Sequence, residues 1–252
     1  MQYLLIDNSN SRTKFILSSA TEHCGALVRL DTVKVSAVAL AEITQDWEYD
    51  AVLVCSVVPE KLAVIEAFFS DVPFHSLRHD SPHGIQIDIE HPEQIGADRI
   101  ANAVGVMAFY TPPAVVIDFG TAVTFDVIKE GGVYVGGVIA PGLGSMNDYL
   151  SKKTALLPNI DIEEPRNAIG KTTVEAMLAG AVYGYRGLVK GIVEEISKEL
   201  AVKPHVISTG GDGKVIAEGV NEIDSFCAQI TLEGLRSIAV NIFKEQDIKN
   251  VK

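Results

Sequence analysis

One unit of sequence occurs twice and limits what this chain can fold into. Near the start, the apolar run 3–6 ends at Asp7, the polar turn Asn8-Ser9-Asn10-Ser11 follows, and a second strand reads through 13–17. Later, Val115-Val116-Ile117 ends at Asp118, the turn is Phe119-Gly120-Thr121-Ala122, and a strand reads through 123–128. Each unit is a hairpin with a carboxylate at its bend. Such a repeat predicts two related halves, and Thr111-Pro112-Pro113 is the break between them. The expected domains are 1–112 and 113–252.

Buried strands alternate with helices along both halves. Residues 51–57 read as a strand ended by Pro59 with a helix after it, 74–84 as loop, 96–110 as an amphipathic helix, and 206–208 as a strand running into Thr209-Gly210-Gly211-Asp212-Gly213. Residues 232–243 read as a last helix. The class is α/β. With 47% hydrophobic and 21% charged residues, the 252-residue chain can bury a sizeable core.

The net charge of −12 gives no general attraction to nucleic acid or anionic lipid, so neither is an expected partner. An anionic substrate must be held by a local device. No apolar run approaches the roughly 18 residues of a membrane span, and the first residues lack the basic segment of a signal peptide. Cys24, Cys55 and Cys227 lie far apart, outside any CxxC, and suit a reducing cytoplasm as small buried hydrophobes.

Several motifs fail on their physical requirements. Gly170-Lys171-Thr172 ends like a phosphate-binding P-loop, but Pro165 stands where the first glycine is needed and no strand precedes it. There is no GxGxxG and no GxSxG. His75, His79 and His83 have the spacing of helical zinc ligands, yet Pro82 and Gly84 make the segment a poor helix, and a solvated loop is the better reading.

Residues 172–200 carry the longest helical signal. Thr172 and Glu175 form a capping box at its start. Gly180, Gly184, Gly187 and Gly191 share one face, and since each costs on the order of 1 kcal/mol relative to alanine, the stripe implies close backbone approach to another element or a second subunit, with a frayed or kinked helix as the alternative.

The hairpins have a chemical logic. Backbone N–H groups in a tight bend cradle phosphate oxygens, small turn residues admit them, and an aspartate at each bend can hold a cation or its waters. Thr209-Gly210-Gly211 is a third place for backbone to approach a ligand. For each turn taken singly, ordinary turn chemistry is the competing explanation. Gly96-Ala97-Asp98-Arg99 opens a helix, where the N-terminal partial charge favours an anion and arginine can fork onto a carboxylate. An ordinary acidic first turn is the alternative there.

In order along the chain stand Asp7-Asn8-Ser9-Asn10-Ser11, Gly96-Ala97-Asp98-Arg99 and 118–126. They are followed by Gly136-Gly137-Val138-Ile139-Ala140-Pro141-Gly142, 169–177 and Thr209-Gly210-Gly211-Asp212. Through this combination the sequence resembles type III pantothenate kinases along essentially its whole length. The resemblance implies an actin-like, sugar kinase-like ATPase fold, two duplicated α/β domains around a nucleotide cleft. It implies ATP-dependent phosphorylation of pantothenate at the start of coenzyme A synthesis, by a cytoplasmic homodimer using a divalent cation such as Mg2+ and a monovalent one, K+ or NH4+.

Carried over by position, Asp98 is the proton acceptor, and Gly96, Ala97, Asp98 and Arg99 line the pantothenate site together with Thr173. Asp7, Asn8, Ser9, Asn10, Ser11, Arg12, Thr13 and Lys14 form the first ATP phosphate loop, and Thr121 touches ATP. Asp118 is the monovalent-cation ligand, and Asp7 a divalent-cation contact through water. Three positions depart from the family's pattern. Ser9 and Ser11 replace glycine and threonine, so a positive φ would strain Ser9, and Ile89 stands where the family has tyrosine. Ile89 keeps open a phosphotransferase for another small hydroxylated acid, and Ser9 a silent ATP-binding regulator.

Overall fold

The computed structural model describes residues 1–211 and 213–250, with side chains up to Lys244. Asp212 of the Thr209–Asp212 motif lies outside the described residues. In chain order the elements are β1 (Tyr3–Asn8), β2 (Arg12–Ser18), β3 (His23–Asp31), α1 (Ala37–Thr44), β4 (Ala51–Ser56), α2 (Pro59–Phe68), β5 (Phe74–Ser76), β6 (Gln86–Ile87) and α3 (Ala97–Phe109). There follow β7 (Ala114–Phe119), β8 (Ala122–Lys129), β9 (Val133–Pro141), α4 (Leu143–Lys153), α5 (Thr173–Leu200), β10 (His205–Gly210), α6 (Gly213–Ala217), β11 (Ser225–Phe226) and α7 (Ile230–Asn250).

The chain forms two compact units. The first holds Met1–Phe109, Gly132–Tyr134 and the C-terminal stretch from Gln229; the second holds Tyr110–Gly131 and Val135–Ala228. Along the chain, the first stretch of the first unit ends at Phe109 and the second unit begins at Tyr110. The division into consecutive stretches 1–112 and 113–252 does not describe the last helix, because α7 returns to the first unit. The reason is close packing on α3: a Cβ at Gly234 would strike the Ala101 carbonyl oxygen.

Both units use one topology. The first sheet runs β3-β2-β1-β4-β5, and the second runs β9-β8-β7-β10-β11, with β6 beyond β9. β1 is antiparallel to β2 and parallel to β4; β7 is antiparallel to β8 and parallel to β10. The two halves read from the sequence are therefore duplicates in strand order. Val133 and Tyr134 of β9 pair with Gln86 and Ile87 of β6 inside the first unit.

Burial explains the apolar runs. Along β1, Tyr3 and Leu5 face the layer of α3 and α7, with Ile100, Val104, Leu235 and Ile238, while Leu4 and Ile6 face Leu40 of α1 and Ile65 of α2. A strand covered on both faces is apolar throughout rather than alternating. In the second unit Val115 and Ile117 pack on Leu178, Val182, Tyr185 and Val189 of α5.

Some expectations change. Residues 74–84 are not all loop, since Phe74–Ser76 forms edge strand β5 beside β4. Cys55 is buried in β4, but Cys24 and Cys227 are partly exposed. Among the described residues no helix is long and apolar enough to cross a membrane.

Candidate active site

In the first unit the site residues collect at the carboxyl ends of β1 and β4, where ligands bind in open α/β sheets. Asp7 is buried to 1% exposure. Its Oδ2 accepts from Lys14 Nζ at 2.8 Å and its Oδ1 from the Ser9 hydroxyl at 2.8 Å. The pairing register sets this up, since Asp7 lies opposite Lys14 and Asn8 opposite Thr13. A relay of donors stiffens the bend: Ser56 Oγ to Asn8 Oδ1 at 2.6 Å, Asn8 Nδ2 to Thr13 Oγ1 at 2.8 Å, Thr13 Oγ1 to Thr32 Oγ1 at 3.0 Å, and Thr32 Oγ1 to the Ser9 carbonyl at 2.6 Å. Thr32 and Ser56 are distant in sequence, and no local signal marks them. Asn8 and Thr13 are buried and shape the loop, whereas Asn10, Ser11 and Arg12 are exposed on it.

Ser9 does not sit in a strained conformation. Among the described residues Ala201 is the one non-glycine with positive φ. The serine replacing glycine instead supplies the hydroxyl that binds Asp7.

The start of α3 adjoins the same strand ends. The Val57 N–H donates to the Asn8 carbonyl at 3.1 Å, and the Val57 side chain lies 3.7 Å from where a Cβ on Gly96 would stand. A side chain at Gly96 would also meet the Asp98 carboxylate, so glycine leaves that group room. Asp98 Oδ1 accepts the Arg99 N–H at 2.9 Å. Ala97 is buried against the core, while Asp98 and Arg99 are half-exposed. The first turn of this 13-residue helix thus presents a carboxylate and a guanidinium in a field that favours anions. The Arg99 guanidinium lies over the Tyr134 ring, 5.7 Å from its centroid.

In the second unit Asp118 is half-buried near the carboxyl end of β7, opposite Thr124 of β8 and beside Thr209 of β10. The turn after it is braced from behind: the Thr121 carbonyl accepts from the Gly142 N–H at 3.1 Å and the Ser145 hydroxyl at 2.7 Å. Thr121 itself is exposed. Tyr185, missed in the sequence, donates its hydroxyl to the Pro141 carbonyl at 2.6 Å, and burial pushes its phenol pKa up. Gly210, read as a place for ligand approach, is explained by packing: it has a φ of +94°, and a Cβ there would strike the Phe119 backbone.

Thr173 is exposed at the first position of α5. The capping box is present, with the Glu175 N–H donating to Thr172 Oγ1 at 3.2 Å and Glu175 Oε2 accepting from the Lys171 and Thr172 N–H groups. Among the described residues, a Cβ added at Gly180, Gly184, Gly187 or Gly191 would meet nothing within 4 Å. The stripe is exposed and lies opposite the buried face of Leu178, Val182, Tyr185 and Val189. His75 Nε2 pairs with the Ser81 hydroxyl at 2.8 Å and His83 Nε2 with the His79 carbonyl at 2.9 Å, so these rings serve the local fold.

Asp7 in the first unit and Asp118 in the second are separate carboxylates; among the described residues no group of three or more His, Cys, Asp or Glu could hold a metal. A lone carboxylate such as Asp7 suits Mg2+, which keeps several waters and binds through one or two carboxylates plus phosphates. Asp7 accepts two hydrogen bonds and retains acceptor capacity for a water. Asp118 is a half-buried carboxylate between Thr124 and Thr209 of the neighbouring strands.

The model of the type III pantothenate kinase family matches residues 3–195. The type III pantothenate kinase of Akkermansia muciniphila is 55% identical over 239 residues, covering 95% of this chain and 98% of the relative. The chain belongs to the type III pantothenate kinase family. Another member, from Methylacidiphilum infernorum, is 39% identical over 96% of this chain and 90% of its own length. Among solved structures, the activator of the 2-hydroxyisocaproyl-CoA dehydratase from Clostridium difficile with bound ADPNP has a TM-score of 0.55 at 13% identity, covering 100% of this chain and 98% of that one. With the repeated 3-2-1-4-5 strand order, such neighbours show that this family member has the actin-like fold shared with sugar kinases.

Proposed function

We propose that the chain transfers the γ-phosphoryl group of ATP to the primary hydroxyl of pantothenate, giving 4′-phosphopantothenate at the start of coenzyme A synthesis. The observation that carries this reading is the pairing of Asp98 with Arg99 on the open first turn of α3, in a chain 55% identical to a type III pantothenate kinase. The two residues divide the work. The Arg99 fork binds the substrate carboxylate, and Asp98 accepts the hydroxyl proton as that oxygen bonds to the γ-phosphorus and the bond to the β-phosphate oxygen breaks, releasing ADP.

Phosphoryl transfer passes through a loose transition state, so positioning and charge stabilisation carry most of the rate. The bend at Ser9–Arg12, held by the Ser56–Asn8–Thr13–Thr32 relay, supplies backbone donors to phosphate, with Lys14 beside it as a cation. Thr121 is a further ATP contact. A divalent cation bound to the phosphates would neutralise developing charge, with Asp7 reaching it through water, and Asp118 would hold K+ or NH4+.

The exposed stripe of α5 is assigned to a second copy of the chain. Thr173 lies on that stripe at helical spacing with Gly180, Gly184, Gly187 and Gly191, and small residues let two backbones approach. Thr173 would then reach pantothenate at the dimer interface. Cytoplasmic residence goes with this role. ADP release with ATP, Mg2+, K+ and a panel of small hydroxylated acids tests the assignment: turnover of pantothenate above the others supports it, and turnover of another acid in its place transfers the site to that substrate.

A further inference from the structure

Tyr134 has no part in the roles above, yet its ring lies beneath the guanidinium of Arg99, whose Cζ is 5.7 Å from the ring centroid. The ring is 1% exposed. It is also fixed from the backbone: Tyr134 pairs with Ile87, and its carbonyl accepts the Asp88 N–H at 2.8 Å. Two residues earlier Gly132 abuts the Met107 side chain of α3. Gly132–Tyr134 is a three-residue excursion of the chain into the first unit, between stretches that belong to the second.

A guanidinium within about 6 Å of an aromatic face is attracted to the ring's negative quadrupole. A guanidinium that rests on a ring does so best with its flat face. The N–H bonds lie in the guanidinium plane, so stacking does not compete with hydrogen bonding to a ligand. Charge alone does not place two parallel N–H···O bonds on a carboxylate; the plane must be set beforehand. A rigid aromatic platform under a flexible side chain does that.

We propose that Tyr134 is a positioning residue that holds the Arg99 guanidinium in the plane required to grip the substrate carboxylate, so that preference for an acid over its uncharged analogue depends on this ring. The inference rests on the pantothenate reading. It concerns recognition of the carboxylate and leaves the phosphoryl-transfer step to Asp98.

The test compares pantothenate with pantothenyl alcohol, in which a hydroxymethyl group replaces the carboxylate. Selectivity is the ratio of the inhibition constant of the alcohol to the KM of the acid. In Tyr134→Leu the KM for pantothenate should rise about tenfold, the size expected of a half-buried cation–π contact. The inhibition constant of the alcohol, kcat and the KM for ATP should move by less than about threefold, so selectivity collapses. Tyr134→Phe keeps the face of the ring and should restore it. Tyr134→Met, unbranched and of similar length, replaces the leucine variant if that protein does not fold.

An unchanged acid-to-alcohol ratio in the leucine and methionine variants overturns the proposal. So does a phenylalanine variant as impaired as leucine, which would assign the effect to the hydroxyl. A wild-type protein that phosphorylates no pantothenate defeats the functional reading instead, so the two failures are distinguishable.

Discussion

Lys14 and Asp7 face one another across the first hairpin, with Nζ 2.8 Å from Oδ2; the carboxylate side chain is 2% exposed and the lysine 31%. The lysine is the partner that makes a buried charge tolerable at the bend. Lys14→Met should therefore lower stability by roughly 1–3 kcal/mol, the cost of leaving one oxygen of a buried charged group without its donor, and should also weaken ATP binding. Adding Asp7→Asn should recover part of the stability without recovering activity. Urea denaturation of the single and double variants checks this, and a single variant as stable as wild type would show that the ion pair has no structural weight.

Asp118 makes a separate prediction about ions. The dialysed enzyme should require K+ or NH4+, with Na+ a poor substitute, and Asp118→Ala should abolish the dependence together with most of the activity. Equal rates in buffer without these ions would remove the monovalent site from the account.

Gly184 tests the assembly. Its surroundings within the chain are open, so Gly184→Leu should fold normally as a subunit while overpacking a face shared by two copies, at a typical cost of about 1–3 kcal/mol. Light scattering should show a shift toward monomer, with pantothenate turnover falling in parallel. A dimeric, fully active variant would detach Thr173 from the interface.

Two histidines contribute to the response to mild acid. Burial holds His75 below the usual imidazole pKa, and Arg78 adds to the effect. Burial lowers His23 as well, against the pull of Glu233 and with help from Arg236. Below about pH 6.5 the unfolded chain thus takes up protons before the folded one. Stability should be full above about pH 7 and should fall as pH drops through that range toward the depressed folded-state values. The urea midpoint, followed from about pH 7 to 5.5, should fall less steeply in a His23→Gln, His75→Gln double variant.

The hairpins were legible because a strand buried on both faces is an unbroken apolar run that ends at a conspicuous aspartate, as at Asp7 and Asp118. The α5 capping box and the start of α3 were legible because caps are local chemistry. Thr32, Ser56 and Tyr134 were not, because each reaches its partner through a sheet or a long connection that spacing does not encode. The return of α7 to the first unit was hidden for the same reason: its amphipathic pattern says that one face is buried and not against which helix. The strain expected at Ser9 rested on the family's glycine, and the turn here reaches its shape with φ outside the left-handed region.

The most direct measurement is identification of the product. Purified chain is incubated with ATP, Mg2+, K+ and a mixture of pantothenate and other small hydroxylated acids, and the products are resolved by mass spectrometry, with Asp98→Asn run alongside. The expected result is pantothenate carrying one added phosphoryl group. In the asparagine variant its rate of formation should fall on the order of 10²–10⁴-fold, the contribution of a positioned base, while nucleotide binding is retained. No phosphorylated pantothenate from the wild-type protein, or an Asp98→Asn variant that forms it at the wild-type rate, would contradict the assignment.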